Sequence, residues 1–113
     1  MTREIKFRCW DNDKAYMFYF DMVDATHPNY ANREVIPHLL LMQYTGLKDK
    51  NGKEIYCGDI VGYHFGSGFN NGEVKWSDLG LCWEIEGITL GYLKTETSLR
   101  VKGNIYENPD LIK

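Results

Sequence analysis

The side chains that most often carry catalysis or bind metals are few in this sequence, and their spacing is irregular. His27, His38 and His64 stand at separations that fit no helical or hairpin pair of metal ligands, and no cysteine lies two or three residues away. Ser67 lies in a Gly-Ser-Gly tripeptide, which lacks both the Gly-x-Ser-x-Gly pattern of a nucleophile elbow and the lysine of a phosphate-binding loop. The sequence therefore predicts neither a metal site nor a cofactor.

One cysteine and two glutamates remain as candidates for catalysis. Cys57 precedes a glycine, but no histidine or helix terminus stands near it in the sequence to activate its thiol. Glu84 and Glu86 are predicted to project to the same side of one strand, and such a pair can share acid–base work only where a cleft gives the two carboxylates different environments. A solvated strand face explains the same pair. We therefore predict that the protein is not an enzyme.

Composition indicates one small folded domain with many aromatic rings. The chain has 113 residues, of which 43% are hydrophobic and 26% are charged, and these values exclude a disordered chain. It contains 3 Trp, 8 Tyr and 5 Phe, more large rings than we expect a domain of this size to bury completely. The formal net charge of −3 would repel a polyanion rather than attract one.

The number and spacing of the cysteines, together with the hydropathy, indicate a protein of a reducing compartment. Cys9, Cys57 and Cys82 are odd in number and widely spaced, which makes a poor disulfide framework. The first six residues are too polar for a signal peptide. The uninterrupted apolar runs, such as residues 39–42, are far shorter than the roughly 20 residues of a membrane helix. We expect a cytoplasmic protein.

The start of the chain has the pattern of a β-hairpin. Residues 5–10 alternate between an apolar and a polar face, as in a half-buried strand. A turn at 11–14 rich in Asp and Asn separates them from an aromatic strand at 16–20. Residues 21–34 have neither the helix nor the strand period, and Pro28 would break any short helix there. This segment is predicted to be irregular.

The rest of the chain predicts short strands separated by turns that often contain glycine. These strands are predicted at 39–44, 60–63, 72–76, 81–86, 89–93 and 99–102. A tight turn containing Asn51-Gly52 follows the first of them, and Asn108-Pro109 predicts a single helical turn near the end. Strands at intervals of roughly ten residues suggest a small antiparallel barrel or sandwich. The predicted fold class is mainly β with little helix, and α+β is the alternative.

Several blocks of this sequence resemble the YopX family. They are LMQYTGLKDKNGKEIY at 41–56, GDIV at 58–61, REIKFRCWD at 3–11 and GNIYENP at 103–109. The resemblance implies a protein encoded by a bacteriophage or prophage, an SH3-like barrel in the C-terminal half, and self-association in the bacterial host cytoplasm. It supplies no catalytic residues. The fold that follows is one domain, 1–113, with an N-terminal hairpin layer (1–45) packed on an SH3-like small antiparallel barrel (46–113).

The aromatic surplus favours a small binding or assembly module that forms a homo-oligomer. Exposed aromatic clusters are typical of interface cores, and loops on rigid sheets often carry binding residues. Residues 63–71 place aromatic side chains among glycines, and we predict that Tyr63, His64, Phe65 and Phe69 contact a second copy or an unknown protein partner. The alternative is that Phe65 and Phe69 cap one end of the barrel.

Nucleic-acid binding is the alternative function. Basic and aromatic residues share the first hairpin, where they could follow phosphates and stack on bases. The residues concerned are Arg3, Lys6, Arg8, Trp10, Tyr16 and Tyr19. The acidic isoelectric point of about 5.5 argues against this function. Cation–π pairs and packing across the sheet explain the same residues without a ligand.

Overall fold

Two antiparallel sheets form most of the computed structural model, which describes residues 5–21, 39–65, 68–96 and 98–112. The strands are β1 (Lys6–Asp11), β2 (Tyr16–Asp21), β3 (Leu39–Lys48), β4 (Glu54–Tyr56), β5 (Asp59–Phe65), β6 (Gly68–Ser77), β7 (Cys82–Ile85), β8 (Ile88–Thr89) and β9 (Arg100–Asn104). The described ranges also contain an α-helix, α1 (Leu90–Glu96), and a 3-10 helix (Pro109–Ile112). The strand order is β2-β1-β3-β4 in the first sheet and β8-β7-β6-β5-β9 in the second.

The first sheet is built on the predicted N-terminal hairpin. The carboxylate of Asp11 accepts hydrogen bonds from the backbone N–H groups of Asp13 and Lys14, both at 3.0 Å, and so closes the β1–β2 turn. Strand β3 pairs with β1 and then, beyond a register shift near Gly46, with β4. The sheet therefore extends to Tyr56, past the layer boundary predicted near residue 45, because β3 continues through the bulge instead of ending there.

The main hydrophobic cluster joins the second sheet to β4 and α1. Its buried members are Ile55, Val61, Tyr63, Val74, Ile85, Leu90, Leu93 and Leu99. Gly58 has a φ of 87° at the entry to β5, and a Cβ at this position would lie 3.0 Å from the sulfur of Met42. The strand predicted at 60–63 is confirmed as part of β5, in which Ile60 and Val61 are completely buried.

The strand predicted at 89–93 is wrong. Only Ile88 and Thr89 pair with β7, and α1 begins at Leu90. Leu90 and Leu93 are both buried, which is the i, i+3 spacing of one helix face, whereas Tyr92 is 53% exposed. The β-rich neighbourhood favoured a strand, but burying both leucines against the second sheet requires the helical period.

The predicted fold class and the helical turn predicted near the end of the chain agree with the structure. The mainly β class is confirmed. The helical turn predicted after Asn108 is the 3-10 helix, in which the backbone carbonyl of Asn108 accepts the N–H of Leu111. The irregular segment predicted at 21–34 lies, after Asp21, outside the described residues. Within the described ranges, no helix is long and apolar enough to cross a membrane.

If residues 90–96 form a helix, two neighbouring substitutions should change the free energy of unfolding by very different amounts. Leu93→Ala removes a buried side chain and should lower the free energy of unfolding by about 2–4 kcal/mol. Tyr92→Ala removes an exposed ring and should change it by less than about 0.5 kcal/mol. Urea unfolding of both variants measures the difference. Equal costs, as a strand buried on both faces would give, would contradict the helix.

Candidate interaction surface

A buried ion pair joins the two sheets. The guanidinium of Arg8 on β1 lies 2.8 Å from the carboxylate of Asp59 on β5, and the two side chains are 4% and 2% exposed. Arg8 also donates a hydrogen bond to the backbone carbonyl of Cys57 and lies over the ring of Tyr56, 4.8 Å from its centroid. The second carboxylate oxygen of Asp59 accepts the backbone N–H of Tyr56 at 2.8 Å. Arg8 therefore holds β5 and the residues that lead into it against the first sheet.

Burial controls the ionisation of groups around this pair. Burial raises the pKa of Asp59, and this effect exceeds the opposing effects of the Arg8 guanidinium and of the hydrogen bond from Tyr56. Burial, together with the nearby charge of Glu73, also raises the pKa of the Cys57 thiol. A thiol with a raised pKa is a weaker nucleophile at neutral pH.

The face predicted to bind nucleic acid is largely covered. Arg8 and Trp10 are 3% and 7% exposed, and Trp10 stacks on Tyr106 with ring centroids 5.8 Å apart. They face the body of the protein because β1 lies inside the first sheet and the chain segment after β9 packs over it. Lys6 forms an ion pair with Glu54 and lies over the ring of Tyr44.

Of the same predicted set, Tyr16 and Tyr19 keep exposed rings. They are 50% and 60% exposed, and Tyr19 contacts Tyr56 edge to face. Arg3 lies outside the described residues. Cation–π pairs and packing across the sheet, the alternative weighed for these residues, are what the structure shows at Lys6, Arg8 and Trp10.

The residues predicted as a contact loop belong to the β5–β6 hairpin and face in different directions. Tyr63 is 3% exposed and belongs to the hydrophobic cluster, because alternation along β5 turns it inward with Val61. It therefore does not contribute to an exposed contact surface. His64 is exposed and its ring meets Phe69 edge to face, with centroids 5.0 Å apart. The side chain of Phe65 lies outside the described residues.

Phe69 is only partly available to a partner. It is 51% exposed, and the amino group of Lys102 lies 5.5 Å from its ring centroid. Its ring covers Gly62, where a Cβ would come within 2.7 Å of the ring. One face of Phe69 is therefore used within the sheet.

The carboxylates considered for catalysis do not share a strand face. Glu84 lies on β7, whereas Glu86 lies in the following turn with a φ of 51°. Both line a cavity of about 260 Å³ together with Glu73, Lys75 and Ile112. The predicted strand ended one residue too late, because the β7–β8 turn begins at Glu86.

Among the described residues, the most exposed apolar surface surrounds the β6–β7 turn, for which the sequence predicts only a connection between strands. A groove of about 340 Å³ opens beside this turn. Its lining residues come from β3, β6, the β6–β7 turn, β7, β8 and α1: Thr45, Leu47, Trp76, Leu81, Cys82, Trp83, Thr89, Leu90 and Gly91. Trp76 and Trp83 form one wall, in edge-to-face contact with centroids 5.1 Å apart. Trp76 remains 46% exposed.

Two leucines of the β6–β7 turn are held in solvent. Leu79 is 99% exposed and Leu81 is 74% exposed. The hydroxyl of Ser77 accepts the N–H of Gly80 at 2.9 Å, and Leu81 has a φ of 54°, in the left-handed region that a large side chain seldom adopts. The signal in the sequence is the pair of leucines within a turn that also contains Ser77, Asp78 and Gly80. Because turn residues lie outside the alternating pattern of a strand, these leucines were not predicted to be functional.

In the part of the chain that the structure describes, two antiparallel sheets and one short α-helix define a small mainly β domain. The model of the YopX protein family matches residues 6–113, so the chain belongs to the YopX family. The crystal structure of protein EF1440 from Enterococcus faecalis is similar, with a TM-score of 0.67 and 23% identity, covering 99% of this chain and 100% of that one. At this identity the likeness concerns the fold alone. No curated protein sequence matches the chain.

Because the ion pair of Arg8 is buried, we expect its loss to lower the free energy of unfolding much more than loss of the ion pair of Lys6 on the same strand. Arg8→Met leaves Asp59 buried without its cation and should lower the free energy of unfolding by about 3–5 kcal/mol. Lys6→Met, the control, removes a partly exposed ion pair and should cost less than about 1 kcal/mol. Urea unfolding measures both.

A second substitution keeps this test informative if Arg8→Met fails to fold. Adding Asp59→Asn removes the uncompensated charge while keeping an oxygen for the Tyr56 N–H, so the double variant should be more stable than Arg8→Met alone. A double variant no more stable than Arg8→Met would contradict the role given to the pair.

We predict that the phenolic group of Tyr56 loses its proton late in an alkaline titration of the protein. Burial and then the charge of Glu54 raise the pKa of Tyr56 to about 12, and Lys6 opposes them. An unfolded tyrosine titrates near pH 10, so the stability contributed by this shift is fully present below about pH 10 and lost as the pH rises through about 12. Tyrosinate absorbance should show a last step that Tyr56→Phe removes and Tyr16→Phe leaves in place. A last step unaffected by Tyr56→Phe would contradict the shift.

Proposed function

We propose that this chain is a small binding or assembly module that associates with itself and has no enzymatic activity. Its membership of the YopX family supports an origin in a bacteriophage or prophage and a place in the cytoplasm of the bacterial host. Within that setting its role is to bring protein chains together. The surface that does so is the groove beside the β6–β7 turn, together with the exposed leucines of that turn.

One observation carries this proposal: large apolar side chains are held in water around an apolar groove. Leu79, Leu81 and Trp76 are 99%, 74% and 46% exposed and lie on the same hairpin. Covering such surface is favourable by about 25 cal/mol per Å², and contiguous exposed patches commonly mark contact sites. A partner that covers this end of the molecule would therefore gain free energy.

Backbone strain at the same place supports a functional role for the turn. A left-handed conformation at a non-glycine residue costs about 1–3 kcal/mol, and Leu81 adopts one while presenting its side chain to solvent. Asparagine would adopt this conformation more readily and expose no apolar surface. Folding alone therefore gives no reason for leucine at this position, whereas contact with a partner does.

Charge permits association between copies. The formal net charge is −3 for 113 residues, a modest value whose repulsion between two copies is weak at physiological ionic strength. The residues at the β6–β7 end include both signs, since Asp78 lies in the turn and Lys94 lies on α1. Attraction between unlike charges can then set the orientation of the two copies.

Light scattering on a size-exclusion column tests the proposal. The wild-type protein should elute as an oligomer at tens of micromolar, and Leu79→Ser should raise the dissociation constant about tenfold or more, because burying a leucine contributes about 1.5–3 kcal/mol. Leu81→Asn should act in the same direction without loss of stability, since asparagine tolerates the left-handed backbone.

The matched control is Leu111→Ser. Leu111 is 38% exposed on the 3-10 helix, outside the groove, and its substitution should leave the oligomer intact. A wild-type protein that stays a 13.2 kDa monomer would overturn self-association. Equal effects of Leu79→Ser and Leu111→Ser would show that the interface lies elsewhere.

A further inference from the structure

We infer that two copies associate by reciprocal insertion, in which Leu79, at the tip of the β6–β7 turn of each copy, enters the groove of the other. This inference rests on the proposed self-association and specifies its geometry. The turn is the projecting part and Leu79 is its tip, since no other large hydrophobic side chain among the described residues is as exposed. The groove, about 340 Å³, is the receiving part.

The turn is held in a fixed shape that keeps Leu79 out of its own groove. The hydrogen bond from Gly80 to the Ser77 hydroxyl and the left-handed backbone of Leu81 close the turn. Leu79 is 99% exposed, so it packs against nothing in its own chain, and it does not line the groove. A rigid apolar projection loses little conformational entropy when it binds, which favours insertion into a second copy.

The groove has the chemistry to receive a leucine. Its walls include Trp76, Trp83, Leu47 and Leu90, and Gly91 leaves one side open because no atom lies within 4 Å of the position its Cβ would occupy. Polar side chains at the rim are small, namely Thr45 and Thr89. An aliphatic side chain would therefore bury apolar surface there without leaving a charged group unpaired.

The position of turn and groove on one hairpin favours a two-fold arrangement. Trp76 and Trp83, which line the groove, lie on β6 and β7, and the turn joins the same two strands. In a two-fold interface the same patch serves both copies, so each insertion is matched by its reverse. Two such contacts would cover the exposed tryptophan wall as well as both turns.

Charge at the two parts is complementary. Asp78 precedes Leu79 at the tip of the turn and is exposed. On α1, Lys94 lies three residues after Gly91 and four after Leu90, so it shares the helix face that lines the groove. Its amino group donates a hydrogen bond to the backbone carbonyl of Lys48, which fixes it near the groove. Insertion of Leu79 would bring Asp78 of one copy to Lys94 of the other, and this pairing identifies a second copy as the occupant.

Complementation between two defective variants tests the inference. Leu79→Ser removes the projection and keeps the groove. Gly91→Glu keeps the projection and places a charged side chain in the groove, at a helical position with open space for it. Each variant alone should be monomeric with a thermal midpoint near that of the wild type. An equimolar mixture should form a heterodimer at least tenfold tighter than either homodimer, because one of the two insertions is restored.

The controls separate this inference from self-association itself. Gly91→Ala, which leaves the groove open, should dimerise as the wild type does. Asp78→Lys and Lys94→Glu should each weaken the dimer, and the double variant should recover most of the loss. A wild-type dimer with no complementation in the mixture overturns reciprocal insertion and leaves self-association standing. A monomeric wild type overturns both.

Discussion

The ion pair between Arg8 and Asp59 is the contact on which the arrangement of the two sheets depends. A charge removed from water is stable only with a partner, so each of these residues requires the other to reach its buried position. The hydrogen bonds of the pair to the backbone of residues 56 and 57 then fix the path from β4 into β5. Because that path connects the first sheet to the second, Arg8 fixes how the start of β5 lies against the first sheet.

A second carboxylate organises the other side of the junction. Asp49 accepts the backbone N–H groups of Asn51 and Lys53 within its turn and that of Val101 on β9. Burial opposes ionisation of this group, but the hydrogen bonds, with that of Val101 the largest, hold the pKa of Asp49 below its ordinary value. The two aspartates thus have opposite shifts, since several donors serve Asp49 while Asp59 is more deeply buried.

Local signals in the sequence were sufficient for the fold class and for most strands. Alternation revealed β1, Asp and Asn revealed the turn at 11–14, and Asn51-Gly52 revealed the turn at 49–53. They failed where burial depends on distant residues: Leu90 and Leu93 form a helix only because the second sheet offers an apolar surface there. The prediction of the binding residues failed for the same reason. Nothing in the neighbouring sequence shows that Tyr63 and Arg8 are buried, because the packing of the two sheets buries them. The exposed leucines at 79 and 81 belong to neither a helical nor a strand pattern, so no pattern predicts them.

The contacts that unite the sheets join residues far apart along the chain. The hydrogen bond from Val101 to Asp49 spans 52 residues, that from Arg8 to Cys57 spans 49, and Trp10 stacks on Tyr106 near the other end. Closing loops of this length costs entropy before any of these contacts forms, and domains dominated by such contacts fold slowly, over milliseconds to seconds. During synthesis on the ribosome, the hairpin at the start must therefore wait for its partners, Arg8 until Cys57 and Asp59 have been translated and Trp10 until Tyr106 has been translated.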